Sequence, residues 1–168
     1  MLTACSPHLT VLPTHRCFDD VADWFRSTGC HLTKKSLEMY EICHGVCFGS
    51  TVGTDPGPPH RYAHAWLLHS DRFVLDFGKH SVTGETLMMK VEKAAFYDSR
   101  AVQMEVVYTV YEAAKASHLA GGCGPWRHCI RQFTSDADGK TFSPEVNKLG
   151  RQYIYDTGRN RPSSSQIL

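Results

Sequence analysis

The period of apolar and polar positions changes several times along the chain, and each change predicts an element. Over residues 18–27, Phe18, Val21, Ala22 and Phe25 recur at helical spacing and form one apolar stripe. Asp19 and Asp20 suit the positive end of that helix's dipole, and Gly29 suits its stop. Ahead of it, residues 9–12 read as a first strand ended by Pro13. Residues 40–48 alternate with period two, which places Tyr40, Ile42, Val46 and Phe48 on one strand face. Residues 62–77 hold two short apolar runs around His69-Ser70-Asp71, the pattern of a β-hairpin with a three-residue loop. Pairing Leu68 with Arg72 then sets Trp66 against Val74 and His64 directly against Asp76.

Further along, residues 85–97 read as a helix with Leu87, Val91, Ala94 and Ala95 on one side, and residues 101–108 as a strand. Thr109-Val110-Tyr111-Glu112 is a capping box opening a helix to about Leu119, stopped by Gly121-Gly122. Gly124-Pro125-Trp126 is a turn carrying a large anchor, and Asp136 to Gly139 is turn chemistry without the ligand spacing of a calcium loop. Ser143 and Pro144 begin a last helix as N-cap and first residue. Gly53, Pro56, Gly57 and Pro58 make residues 49–60 a loop leading into the hairpin. The sum is one α+β domain over residues 1–158, with residues 159–168 as a disordered tail.

Composition narrows the class. At 168 residues the chain can bury a core of its own. Its 18 basic residues nearly balance 17 acidic ones, so nothing marks a nucleic-acid binder or a membrane-surface protein. No apolar run has the length of a membrane span, and the first residues lack the pattern of a signal peptide. Seven cysteines, an odd number, then read as reduced thiols in a cytoplasm, or in a protein delivered to a host cell by a signal-less route.

The chemistry centres on the hairpin. A carboxylate opposite an imidazole fixes its tautomer and orientation, and a cysteine at the other ring nitrogen completes a nucleophile–base–orienter set. Cys17 precedes the 18–27 helix, and a helix start favours a thiolate. Cys17, His64 and Asp76 are therefore the candidate catalytic residues. At these positions the sequence resembles the papain-like and transglutaminase-like cysteine enzymes: His64-Ala65-Trp66 and Val74-Leu75-Asp76 match the base strand and acid strand of transglutaminase-like members. Cys43-His44-Gly45, the hairpin and Gly124-Pro125-Trp126 extend a likeness to small phage and bacterial proteins of this layout, over roughly residues 15–126. Leu67-Leu68 stands where relatives often carry Val-Glu.

The resemblance implies a Cys-bearing helix packed on an antiparallel sheet. It also implies an amide substrate in a protein or peptide, with hydrolysis, Gln or Asn deamidation and transamidation all open, and needs no cofactor or metal. Thr14, His15 and the Cys17 backbone N–H stand where an oxyanion donor belongs, and Trp66 is a candidate for the substrate cleft, against the simpler reading of a core side chain. Two other readings stand beside this one. The same fold serves as a non-enzymatic protein-binding module, or Cys43 and Cys47, which share a strand face, hold zinc together with Cys30, His31 or His60. Cys43 is also an alternative nucleophile, though mid-strand placement offers it no helix dipole.

Overall fold

The alternating stretches become strands of one antiparallel sheet. The computed structural model describes residues 11–13, 16–49, 58–80, 82–131 and 143–155. Its strands are β1 (Val11–Pro13), β2 (Tyr40–Gly49), β3 (His60–His69), β4 (Phe73–His80), β5 (Thr86–Glu92), β6 (Met104–Thr109) and β7 (Arg151–Ile154). They order β1-β4-β3-β2-β6-β7, with β5 on the other edge of β4. The helices are α1 (Cys17–Ser27), α2 (Lys34–Leu37), α3 (Lys93–Ser99), α4 (Val110–Ala120), α5 (His128–Arg131) and α6 (Pro144–Asn147). None of the described helices is long and apolar enough to cross a membrane.

The central residues of β2, β3 and β4 are buried without interruption, so both faces of the sheet are covered. Ile42, Val46, Ala65, Leu67, Leu75 and Phe77 pack under α1 and α4, through Val21, Ala113 and Ala116. Residues of the opposite parity, Cys43, Cys47, Trp66, Leu68 and Val74, pack against Phe96 and Tyr97 of α3. Covering both faces explains why Ala65-Trp66-Leu67-Leu68 of β3 reads as a continuous apolar run. Phe48 is the exception to its predicted face, being 42% exposed near the end of β2.

The hairpin register differs from the expectation. His69 pairs with Phe73, Leu68 with Val74 and Leu67 with Leu75, so the loop is Ser70-Asp71-Arg72. Pairing of β3 with β2 runs to Tyr40↔His69 and carries the strand one residue further than the apolar run suggests. Ser70 and Asp71 turn the chain with φ of 54° and 52°, a conformation that short polar side chains tolerate, and Lys93 pairs with Asp71. The slip amounts to two residues, so it leaves each side chain on its predicted face.

A second feature is a fork. β4 pairs with β3 at residues 73–75 and with β1 at residues 78–80, through Pro13↔Gly78, Leu12↔Lys79 and Val11↔His80. The same side of β4 thus changes partner, and Asp76 and Phe77 lie between the two ladders. α1 begins four residues after β1 ends, which brings Cys17 toward this opening.

One further expectation is corrected, and one strand was not foreseen. Residues 86–92 form a strand rather than the first half of a helix, because β4 offers them an edge along its whole length, from Phe73↔Glu92 to Lys79↔Thr86. Only residues 93–99 are helical. The last part of the described chain adds β7 to β6, an element that residues 151–154 do not signal by any clear alternation. By contrast α4 has the expected capping box at Thr109 and Glu112, and a left-handed Gly121 at its end. Residues 49–60, the 136–139 turn and the 159–168 tail fall wholly or mostly outside the described residues.

Candidate active site

The fork assembles three of the predicted side chains. His64 Nε2 and Asp76 Oδ1 are 2.8 Å apart, both residues buried. Asp76 Oδ1 also accepts from the Phe77 backbone N–H at 2.9 Å, and Oδ2 accepts from Arg100 Nη2 at 3.0 Å. The carboxylate therefore has an imidazole, a backbone amide and a guanidinium around it. Burial works against its charge, but His64 and then Arg100 outweigh burial and hold its pKa below the usual carboxylate range.

Cys17 is the first residue of α1 and is 4% exposed. It packs with the α1-side cluster, whereas His64 shares strand parity with Trp66 on the α3 side. The two approach at the opened β3–β4 seam, near enough for a charged Cys17 to favour the protonated form of His64. Burial disfavours the imidazolium; the nearby Cys17 and the Asp76 carboxylate overcome it and raise the pKa of His64 from 6.5 to about 10. Asp76 occupies Nε2, so a second partner of the ring must come to Nδ1. Arg16, the N-cap residue, makes no side-chain cap, so the first-turn amides of α1 have no capping side chain competing for them.

Backbone packing supports this geometry. Gly45 stands opposite His64 in the β2–β3 ladder, and a Cβ there would lie 2.2 Å from the Trp66 ring. Trp66 itself is fully buried among Phe96 and Tyr97, so it is a core residue and not a face of a substrate cleft. Thr14 and His15 lie outside the described residues.

Arg100 escaped the sequence reading. It follows α3 and stands 24 residues from Asp76, too far for any local spacing to link them. Glu105 is a second unforeseen buried acid, accepting hydrogen bonds from the Tyr97 and Tyr155 hydroxyls on the α3 side.

Cys43 and Cys47 are fully buried, and burial, more than neighbouring acids, pushes both thiols up. That chemistry suits inert core thiols better than a nucleophile. Cys30 is exposed, donating to the Arg26 carbonyl, and among the described residues no three His, Cys, Asp or Glu side chains gather at metal-binding spacing. Comparison of the chain with protein-family models, curated protein sequences and solved structures gave no match.

Proposed function

We propose that the protein is a cysteine-dependent amide-bond enzyme of papain-like, transglutaminase-like type, acting on a protein or peptide. The observation that carries this is the buried 2.8 Å His64–Asp76 contact with Cys17 beside the imidazole. Cys17 sulfur attacks the amide carbonyl carbon, and the resulting oxyanion is met by the Cys17 backbone N–H. His64 gives its proton to the leaving nitrogen as the C–N bond breaks, leaving a thioester. Water, activated by His64, then yields an acid, whereas an amine yields a new amide. A leaving peptide amine makes the reaction proteolysis, and leaving ammonia makes it deamidation. Asp76 keeps the imidazole oriented throughout and is itself held by Arg100.

A second reading draws on the near-complete burial of Cys17: the same fold as a non-enzymatic protein-binding module. Iodoacetamide in mildly acidic buffer separates the two. Rapid modification of Cys17 ahead of the other cysteines, mapped by mass spectrometry, supports the enzyme. Slow and uniform modification supports the module.

A further inference from the structure

β5 has a strand on one side only. It pairs with β4 from Phe73↔Glu92 to Lys79↔Thr86, and no strand among the described residues pairs with its other side. The two ends of that ladder show where its backbone groups point. The His80 N–H donates to the Glu85 carbonyl at 2.9 Å, and the Lys93 N–H donates to the Arg72 carbonyl at 2.8 Å. Opposed residues of an antiparallel pair alternate between exchanging hydrogen bonds and not exchanging them. Leu87, Met89 and Val91 therefore turn their N–H and C=O groups toward β4. Thr86, Met88, Lys90 and Glu92 turn theirs outward, and all of these residues are exposed.

The devices that keep a sheet edge from pairing are missing from this one. Residues 86–92 contain no proline, and their register with β4 runs without a bulge. The charged side chains lean back over β4. Lys90 Nζ lies 4.1 Å from the centre of the Phe73 ring, and Glu92 Oε1 lies 3.5 Å from Arg72 Nη2.

The pattern of this edge fits a second copy of itself. An antiparallel neighbour must set outward-pointing residues against outward-pointing residues. A two-fold axis at Met89 does so for all of them, with Thr86 against the partner's Glu92 and Met88 against the partner's Lys90. The same axis sets Leu87 against the partner's Val91, so half-buried apolar side chains meet on the α3 side of the sheet. An axis at Lys90 would oppose that lysine to its own counterpart, and directly opposed like charges are destabilising. An axis at Met88 would leave Glu92 without a strand residue opposite it.

We propose that the protein forms a two-fold symmetric dimer by antiparallel pairing of β5 with β5 of a second copy, centred on Met89. The two sheets then become one.

The test reads association and amide exchange on the full chain. Sedimentation velocity over a dilution series should show a monomer–dimer equilibrium. Met88→Pro removes an outward N–H and leaves every N–H that faces β4, so it should keep the fold while weakening dimerisation by about tenfold or more. At equal concentration, hydrogen exchange followed by NMR should be slower in the wild type than in Met88→Pro at Thr86, Lys90 and Glu92. Leu87, Met89 and Val91, already bonded to β4, should change little. A wild-type chain that stays monomeric up to millimolar concentration overturns the proposal and leaves the edge to a different protein. A monomer whose outward amides are already protected overturns it too, because a segment of the same chain then covers them. So does a dimer that Met88→Pro leaves equally tight. If Met88→Pro does not fold, wild-type exchange at low and high concentration decides: protection of alternate residues that grows with concentration supports the dimer, and equal rates refute it.

Discussion

His44 and His64 stand on adjacent strands, both buried, and share almost nothing chemically. His64 has Asp76 on one nitrogen and Cys17 in its neighbourhood, and its pKa is raised to about 10. His44 is enclosed by aromatic rings, and its pKa is lowered to about 3. Burial is common to both, so burial does not decide what a histidine does. The partners that come with it decide, and those partners are delivered by topology: the fork admits a cysteine and a carboxylate to His64, whereas α1 and the 124–126 turn bring only carbon to His44.

The largest expected effects lie on the His64 side. Cys17→Ala should abolish selective iodoacetamide labelling and turnover, while costing about 1 kcal/mol in urea unfolding for the lost buried sulfur. A Cys17→Ala protein that keeps its activity but melts far lower would make Cys17 a core residue and end the comparison. His64→Ala should slow modification of Cys17 by about 10²–10⁴-fold, the usual worth of a positioned acid–base group. Next comes Asp76→Asn, expected to lower turnover by a similar order through loss of imidazole orientation. Arg100→Met should do less, about tenfold, because Phe77 N–H and His64 still hold the carboxylate. Equal losses in both variants would show Arg100 to be more than a support.

Stability as a function of pH should sharpen the contrast. His44 has a folded pKa below its unfolded value, so the unfolded chain binds more protons in acid and stability falls as pH drops from 6.5 toward about 3. His64 has a folded pKa above its unfolded value. Its contribution is complete below 6.5 and is lost as pH rises through about 10. Urea titrations in acidic, neutral and alkaline buffers should therefore show His44→Phe flattening the acid limb and His64→Ala flattening the alkaline one. Both variants flattening the same limb would contradict the opposite environments.

The smallest effect concerns packing. Gly45→Ala forces a methyl group against the buried Trp66 ring and should cost about 1–3 kcal/mol in unfolding free energy, as overpacking does. Unchanged stability would show that Trp66 has room to move.

Much of this was legible where the signal is local. The α1 stripe, the acidic first turn, the Thr109–Glu112 capping box and the alternation in β2 are all written within a few residues. The shared face of His64 and Asp76 was also legible, since a register slip of two preserves parity. What failed depended on partners remote in sequence. Residues 86–92, rich in Leu, Met and Lys, suit a helix until the edge of β4 is known. Arg100 and β7 carry no signal without the tertiary fold. The fork itself is invisible locally, because it arises from β1 and β3 sharing one side of β4.

The Ser70-Asp71-Arg72 loop has a consequence for how this chain tolerates insertion and deletion. A strand is a two-beat rhythm, so shifting the β3–β4 register by an even number of residues keeps His64 and Asp76 facing the same way. A shift by one turns Asp76 away and brings Leu75 or Phe77 toward the imidazole. Length changes that alter register in pairs are thus compatible with the site, whereas a single-residue slip removes the acid even if every residue of the triad is still encoded.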